Sequence, residues 1–592
     1  MALFRRTFEK VVVVLIGLLL AAGFMAVQAS PAEAQGQPAY TITPDSKTYE
    51  GNMMNYSTYN DNTKHYYLLR SYLEQLEETD GGTLILSQGT YTISNTLYVP
   101  SNVTIKLQDG AKIVKGNQSG TSQFSASSSI FQFIRPSLAK QDGVYGGYNG
   151  EKNIKISGSG DATIDLNGVY GSLAIIAGHN QNVTIENIHF KHMHANHFIE
   201  MDATKNAVIR HNTFTDAKPS PKRNKEAINL DTPDQKTNGW SQDWSTYDKT
   251  ANKNVTIENN VFRDLERAIG THKYSGGSFH DRIIIRGNTI DTMQKDAIRV
   301  MNWRDSVIAG NLIKNVAPSS DHNNRGVLVS GAHNPHFRNN TFVSMPRAMQ
   351  FMVWQNHGAG SEYDTTYNEL SSQNIKDLKT NTIVNGDENF IRNNKKLGEF
   401  GKDYTDNIDI QTSRFIDMDQ SQSGYDQVVS LMDQGIISGY DDNTFRPYQS
   451  ISRQHVALML ANALNLSAPA DTKAVVSQFE DIDSDHLYAG QIAAMAKADI
   501  FSGANGFFKP NENITRSQMA TVLVGAMGLE ATGEPVELTD IADIGASHRQ
   551  SVRILAQNKI TIGKTNANGD HYYDGTGKLT RTQFAILLKK AM

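Results

Sequence analysis

Cysteine is absent from all 592 residues of the sequence. Its absence excludes disulfides, thiolate zinc sites, iron–sulfur clusters and cysteine nucleophiles. The net charge of −5 argues against a dedicated nucleic-acid-binding protein. Proline is scarce, at 15 residues, whereas 46 glycines indicate many turns. With 39% hydrophobic and 20% charged residues, most of the chain has enough apolar side chains to build folded domains, about three to five at this length.

Long apolar runs are also absent, except near the N-terminus. Arg5, Arg6 and Lys10 precede an uncharged, mostly apolar run at 11–27, and Ala32-Glu33-Ala34 offers a small-x-small cleavage site. Because this run is at the short limit for a membrane span, the pattern predicts a cleaved signal peptide at 1–34. We therefore expect a secreted protein without a transmembrane segment after cleavage.

A short motif recurs through the middle of the chain: an apolar residue, two variable residues, Asn, one residue, then Phe or Ile. It occurs at 209–214, 257–262, 285–290, 308–313, 337–342 and 378–383. Most intervals are 23 to 29 residues, which is typical of a solenoid. Alternating β-branched residues predict strands, and Asn suits the turns because it tolerates a left-handed conformation and can stack between coils. A leucine-rich repeat is disfavoured, since the regular Leu framework is missing.

The start of this region carries a second pattern. Residues 63–78 predict an amphipathic helix, followed by Gly-Gly-Thr at 81–83, Gly-Thr-Tyr at 89–91 and Pro-Ser-Asn-Val-Thr-Ile at 100–105. The region resembles the right-handed parallel β-helix of the pectin-lyase-like superfamily, with the helix capping its N-terminal end as in β-helix glycoside hydrolases and tailspike-like enzymes. This resemblance implies a mainly β domain at 35–394. The Gly-, Lys- and Asp-rich segment 395–412 is interpreted as a linker.

The C-terminal third contains three related units of about sixty residues, at 413–468, 476–530 and 536–592. Each has an apolar-x-Asp start and a Ser-Arg or Thr-Arg pair before a helical pattern, with arginines at Arg453, Arg516 and Arg581. The units resemble an α-helical set of three S-layer homology (SLH) domains. The resemblance implies noncovalent binding to secondary cell-wall polysaccharide through these arginines, and a location at the cell wall or S-layer. Residues after the arginines, such as Gln454-His455, depart from the usual Ala-Glu.

Six strand-like segments of the β-helix can be aligned, at 197–202, 226–231, 267–272, 296–301, 325–330 and 347–352. Their third and fifth positions are apolar and face the core, so the fourth and sixth positions point outward. Coils lie ~4.8 Å apart, and one face therefore gathers acids at distances useful for sugar hydrolysis. The candidate catalytic residues are Glu200, Asp202, Glu226, Asp231 and His272.

Further side chains on this face predict substrate binding. The charged or imidazole-bearing candidates are His197, Lys225, Arg267, Asp296, Arg299 and Arg325. All four tryptophans, Trp240, Trp244, Trp303 and Trp354, follow the same strands, and they are interpreted as a platform on which sugar rings stack. The alternative for the charged residues is an ion-pair ladder that holds the coils in register.

Three functions fit this arrangement. Hydrolysis by paired carboxylates is favoured, because the cluster is acidic and 35–412 is nearly neutral. Elimination or C5 epimerisation of a uronic acid polymer would instead use Lys225, the arginines and His272, with Ca²⁺ at Asp202 and Asp231 as an optional ion. A non-catalytic glycan-binding adhesin is the third. The polygalacturonase motifs are missing, so no catalytic residue is transferred from that family, and no cofactor or metal ligand set is required. The expected partners are an extracellular polysaccharide and the wall polymer.

Overall fold

The computed structural model describes residues 36–592, except 221–224, 319–323, 356, 359–360, 405 and 502. The predicted signal peptide lies outside the described residues. Among those described, no helix is both long and apolar enough to cross a bilayer.

Residues 39–413 form the predicted right-handed parallel β-helix, in which each coil adds one strand to each of three parallel sheets. Sheet A contains Ala39–Ile42, Gly82–Leu86, Val103–Leu107, Lys152–Gly158, Gln181–Glu186, Lys205–Arg210, Lys253–Glu258, His280–Arg286, Val307–Ala309 and His336–Arg338. Sheet B contains Gly89–Ile93, Ala111–Lys115, Thr163–Asp165, His189–Lys191, Thr213–Thr215, Val261–Leu265, Thr289–Met293, Leu312–Val316, Thr341–Val343, Thr382–Val384 and Gln411–Ser413. Sheet C contains Leu97–Tyr98, Ser129–Gln132, Leu173–Gly178, Ile199–Asp202, Glu226–Asp231, Arg267–Gly270, Ile298–Arg304, Arg325–His333, Arg347–Phe351 and Phe390–Asn393.

Apolar side chains fill the interior because alternate strand residues point inward. Phe190, Phe214 and Phe262 occupy equivalent positions of sheet B, and their rings stack with centroids 4.8 Å apart. The helix Lys64–Glu78 places Leu69, Leu73 and other apolar side chains in the same core. It thereby covers the N-terminal end of the solenoid, where unpaired strand edges would otherwise meet water.

The recurrent asparagines form a buried ladder between sheets A and B. Asn288 Nδ2 donates to the carbonyl of Ile257, and its Oδ1 accepts from the backbone N–H of Asn260, both at 2.9 Å. The left-handed conformation predicted for these asparagines belongs instead to the preceding residues, such as Asn259 and Gly287. The ladder residues are therefore selected for their amides, which satisfy backbone groups of neighbouring coils.

The predicted linker 395–412 is partly wrong, because the solenoid continues through its end. Ile408–Asp409 pairs antiparallel with Phe390–Asn393, and Gln411–Ser413 pairs in parallel with Thr382–Val384. The short helix Ser372–Leu378 packs near this end, against His336–Arg338. Remaining short elements are the 3₁₀ turns Tyr49–Gly51 and Lys402–Tyr404 and the hairpin strands His357–Gly358 and Ser361–Glu362.

The C-terminal region is mainly helical, as predicted. Its helices are Tyr425–Asp433, Arg453–Ala463, Thr472–Val476, Ala489–Lys497, Arg516–Met527, Ala546–Gln557 and Arg581–Ala591, with a hairpin of Lys564–Thr565 and His571–Tyr572. Three backbone hydrogen bonds close the units into a ring: Ile451 N–H to Leu579 O, Leu579 N–H to Ile514 O, and Ile514 N–H to Ile451 O. The three units therefore form one assembly with approximate threefold symmetry.

Candidate functional site

Sheet C presents the candidate site on its outer face. Its strands place Asp202 directly beside Asp231, and Glu200 beside Asn229. In line with Glu200 and Asn229, the next coil contributes Gly270 and the coil after it contributes Arg299. A Cβ at Gly270 would lie 2.8 Å from Arg299 Cβ, so only glycine leaves the space between Asn229 and Arg299 open.

Three carboxyl groups meet at the centre of this face. Asn229 Nδ2 donates to Glu200 Oε1 at 2.8 Å, and the backbone N–H of Asp231 donates to Asp202 Oδ1 at 3.1 Å. Burial, together with the charge of Asp231, raises the pKa of Glu200 to about 7. Burial and the charges of Glu200 and Asp231 raise the pKa of Asp202 well above its ordinary value. The cluster therefore holds two carboxyl groups that keep their protons to a higher pH than free carboxyl groups do, as a general acid must.

Asp231 has a different environment from Asp202. The backbone N–H groups of His272 and Lys273 both donate to Asp231 Oδ1, at 3.0 and 2.9 Å. These two main-chain donors fix the position of the Asp231 side chain. The imidazole of His272 lies over the same group, with Nδ1 3.4 Å from Asp231 Oδ2. Solvent reaches the cluster along Glu200 and His272, whose side chains are 15% and 18% exposed.

Glu226 and His197 lie deeper, three positions before Asn229 and Glu200 in their segments. Glu226 is fully buried, and His272 Nδ1 lies 3.4 Å from its Oε2. Burial alone would raise the pKa of Glu226, but His272 and the charge of Arg267 hold that pKa below its ordinary value. His197 Nδ1 donates to the carbonyl of Glu226 at 2.6 Å, and Lys225 Nζ lies 3.3 Å from His197 Nε2.

The basic part of the face begins one coil further on. Arg267 and Arg325 both pair with Asp296, at 2.9 and 3.1 Å, and these charges keep the pKa of Asp296 low despite its burial. This trio matches the predicted ion-pair ladder. The side chain of Arg299 is half-buried, and its Nε has no hydrogen-bond partner among the described residues. Burial and the neighbouring Arg267 lower the pKa of Arg299.

The predicted tryptophan platform is wrong for three of the four side chains. Trp240 and Trp244 are buried, and both pack where a Cβ on Gly178 would lie. Trp303 is 1% exposed and donates from Nε1 to Thr271 Oγ1 at 2.8 Å. Trp240 and Trp244 belong to an apolar cluster with Leu173 and Ile176, which attaches their loop to sheet C. Trp303 lies in the strand Ile298–Arg304 and belongs to the core of the solenoid. Trp354 is half-buried against Tyr274 and stays a candidate.

The sequence interpretation missed two residues of the cluster. Asn229 contacts both Glu200 and His272, with its Oδ1 3.0 Å from His272 Nδ1. Asn229 is the fourth, outward-pointing residue of the segment 226–231, so the alignment places it on this face. It was not among the candidates because those were charged, imidazole-bearing or tryptophan side chains. Lys273 contributes a backbone N–H and a positive charge near Asp202. It lies after the strand end, where the repeat no longer predicts side-chain direction.

The three C-terminal arginines occupy equivalent, largely buried positions at helix starts. Arg453 Nε donates to Phe508 O, Arg516 Nε to Tyr573 O and Arg581 Nε to Phe445 O, at 2.6 to 2.8 Å. Each acceptor belongs to a different unit from its donor, so the contacts run around the ring. Each guanidinium also lies over an aromatic ring of the unit it reaches, within 4.4 to 4.8 Å of the centroid.

Comparison with known proteins identifies the C-terminal units. The S-layer homology domain family matches residues 414–457 and 478–520. The Surface-layer 125 kDa protein of Lysinibacillus sphaericus is 33% identical over 173 residues, which cover 29% of this chain and 14% of that protein. The matched parts of the first three S-layer relatives amount to only 14 to 18% of their lengths.

Two further matches come from one pneumococcal protein. Plasmin and fibronectin-binding protein A of Streptococcus pneumoniae is 26% identical over 258 residues, covering 39% of this chain and 34% of that protein. The crystal structure of PfbA, a surface adhesin of the same species, covers 61% of this chain and 81% of that one, with 18% identity and a TM-score of 0.42.

The chain therefore carries S-layer homology domains after a parallel β-helix, and it is a secreted protein anchored at the cell surface. The third unit falls outside the family match, but it repeats the geometry of the others. Asp540 accepts from the backbone N–H groups of Tyr573 and Asp574, as Asp481 does from Phe508 and Lys509.

Proposed function

We propose that the β-helix is a glycoside hydrolase that cleaves an extracellular polysaccharide. One observation carries the proposal: Glu200 is a solvent-contacting carboxyl with a pKa of about 7, raised in part by the charge of a second carboxyl, Asp231, that is held by two backbone N–H groups. Glycoside hydrolysis needs such a pair, one group to give a proton and one to act as a base or nucleophile.

In this proposal Glu200 donates its proton to the glycosidic oxygen as the bond to the leaving sugar breaks. Asp231 then acts as the carboxylate that activates water or attacks the sugar carbon. Asp202 supports the pair, because its Oδ1 accepts the backbone N–H of Asp231. His272 lies between Asp231 and solvent and orients the substrate or water. The half-buried Arg299 lies two coils from Asn229 and binds an acidic or polar substituent of the substrate. Its Nε makes no hydrogen bond among the described residues and is free to do so.

The C-terminal units anchor this enzyme to secondary cell-wall polysaccharide, through grooves that contain Arg453, Arg516 and Arg581. Arginine suits an anionic sugar at a helix start, because its planar donors and the helix N-terminus both favour negative charge. The predicted units 413–468, 476–530 and 536–592 define the anchor, and the β-helix acts on polymers within its reach.

The test is a panel of polysaccharides incubated with the full chain. Release of reducing ends without absorbance at ~235 nm indicates hydrolysis, because only elimination creates the conjugated double bond. Absorbance at that wavelength would replace hydrolysis with the lyase alternative. The matched control is Glu200→Gln, which keeps the shape of the side chain and removes its proton-donating group.

Surface adhesion is the second candidate, and one observation favours it. The acidic cluster is largely covered, with Asp202 and Asp231 almost fully buried. A relative of part of this chain is named for binding plasmin and fibronectin. Retained binding to a polysaccharide or to either protein, without product from any polymer of the panel, would support an adhesin.

A further inference from the structure

Three potential metal ligands meet beside the carboxyl cluster, on three successive coils of sheet C. His197, Glu226 and His272 each offer one ligand atom, and these atoms all lie within 4.8 Å of one another. Tetrahedral Zn²⁺ with bonds of about 2.1 Å separates its ligand atoms by about 3.4 Å. His272 Nδ1 and Glu226 Oε2 are already 3.4 Å apart. His272 Nδ1 also lies 3.0 Å from Asn229 Oδ1, so binding an ion through this nitrogen requires that contact to be released and the proton of Nδ1 to be lost or moved to Nε2. Small side-chain movements would then bring all three atoms onto one ion.

His197 presents the form of imidazole that metals bind. Its Nδ1 lies 2.6 Å from the carbonyl of Glu226, which can only accept, so Nδ1 carries the proton and Nε2 carries the lone pair. Metal-binding histidines commonly donate their second N–H to a backbone carbonyl in this way.

Glu226 supplies an independent observation. Its side chain is fully buried, yet neither carboxylate oxygen makes a hydrogen bond among the described residues. Arg267 Nε lies 3.9 Å from Oε1, but that guanidinium is engaged through Nη1 with Asp296. Arg267 and His272 therefore compensate the buried carboxylate only through longer contacts, and a bound cation would add direct bonds to its oxygens.

We propose that His197, Glu226 and His272 form a binding site for a divalent transition-metal ion such as Zn²⁺. Two imidazoles and one carboxylate are the donor set that suits zinc and its neighbours, whereas Ca²⁺ prefers six to eight oxygens. Three protein ligands leave a position open, and Glu200 Oε2, 3.4 Å from His197 Nε2, borders it. The proposal concerns binding alone and does not depend on the proposed hydrolysis.

Lys225 is the group that competes with the ion. Its ammonium lies 3.3 Å from His197 Nε2, along the lone pair that a metal would use. Binding of the ion must displace this contact and overcome the repulsion between two cations. Replacing Lys225 with an uncharged residue of similar length should therefore increase the affinity for metal, an effect that a purely structural histidine pair would not produce.

The experiment uses the full chain, stripped with a chelator and titrated with Zn²⁺ by calorimetry near pH 7.5. The chain has 17 histidines, so weak surface binding needs a matched control. His192→Ala serves, because His192 Nδ1 lies 2.8 Å from Asp165 Oδ1 on an exposed part of the solenoid. We expect one tight site in the wild type and in this control.

Glu226→Gln and His272→Ala should each weaken that site by at least about 100-fold, more than the loss of a group behind a ligand usually costs. Lys225→Met should tighten it by about 10-fold or more. The visible absorption of bound Co²⁺ should change in His272→Ala, which keeps the test open if Glu226→Gln does not fold. Equal Zn²⁺ affinity in the wild type, Glu226→Gln and His272→Ala would overturn the proposal. Unchanged affinity in Lys225→Met would overturn the assignment of His197 as a ligand.

Discussion

The backbone N–H of Asp231 donates to Asp202 Oδ1 across 3.1 Å, so the two carboxyl groups face each other on adjacent strands without being equivalent. Asp231 accepts two backbone N–H groups at its own Oδ1, whereas Asp202 Oδ2 is buried without a hydrogen-bond partner among the described residues. Burial and the charges of Glu200 and Asp231 raise the pKa of Asp202. The two carboxyl groups therefore differ in their hydrogen bonds, and Asp202 holds its proton to a higher pH than a free aspartic acid does.

This asymmetry predicts different outcomes for two isosteric substitutions. Asp231→Asn removes the proposed base or nucleophile and should lower turnover by about 100-fold or more. Asp202→Asn keeps the oxygen that accepts the backbone N–H of Asp231 in a side chain of the same shape, and it should lower turnover by less than about 10-fold. Initial rates of reducing-end release and melting temperatures, measured on both variants, provide the check. Equal losses of activity would contradict the assignment of separate roles.

Glu200 should make stability depend on pH. Its pKa is about 7 in the folded chain against 4.5 as the ordinary value, so the folded state binds more protons between these pH values. The protonated Glu200 contributes its full share of the free energy of unfolding below about pH 4.5, and this contribution is lost as pH rises through about 7. Glu200→Gln removes the ionisable group and should raise the melting temperature at pH 8 by about 2 °C or more, with little gain at pH 4.5.

The exposed Glu78→Gln is the matched control for Glu200→Gln, and it should leave the pH profile unchanged. The same Glu200 variant should lose about 100-fold or more in turnover if the residue is the general acid. In the wild type, kcat/KM should fall as pH rises through about 7, because the acid then loses its proton. A profile flat across that range would count against this role.

The fold was predictable from sequence because the motif around Asn212, Asn260 and Asn288 repeats a physical requirement of every coil, a side-chain amide that satisfies the neighbouring backbone. The grouping of Glu200, Asp202 and Asp231 followed from the same register. The repeat contains no information about the loops that cover sheet C. Trp240 and Trp244 were therefore misinterpreted, and the burial that raises the pKa values of Glu200 and Asp202 could not be predicted.

The asparagine ladder predicts a position-specific loss of stability. Asn311→Ala should lower the free energy of unfolding by about 1–3 kcal/mol, because it leaves Ile285 O and the N–H of Asn288 without their partners. Asn206→Gly is the control in a second row of asparagines, in which Asn206 Nδ2 donates to Asn182 Oδ1 and Asn206 Oδ1 accepts from Asn254 Nδ2. Asn206 has φ 58°, a conformation that glycine accepts. Its change should stay within about 0.5 kcal/mol. Denaturant unfolding of both variants measures the difference, and similar losses would show that the buried amides have no special role.

The three arginines proposed to bind the cell wall also form hydrogen bonds between the C-terminal units. We therefore expect their replacement to change both wall binding and stability. Arg516→Ala removes the hydrogen bond from unit two to Tyr573 O in unit three and should destabilise this region by about 1.5–3 kcal/mol. Arg446→Ala is the control, because that exposed arginine bonds within its own unit to Asp442 and should change stability little.

Pelleting with purified cell walls distinguishes a wall-binding role of these arginines from a purely structural role. Arg453→Lys, Arg516→Lys and Arg581→Lys in one chain keep three positive charges but remove the Nε donors and the planar guanidinium groups. We expect this triple variant to pellet with walls less than the wild type does, even at a temperature where circular dichroism shows it folded, because lysine cannot present paired donors to an anionic sugar. Undiminished pelleting of the folded variant would leave these arginines as connections between units and would exclude them as the wall-binding groups.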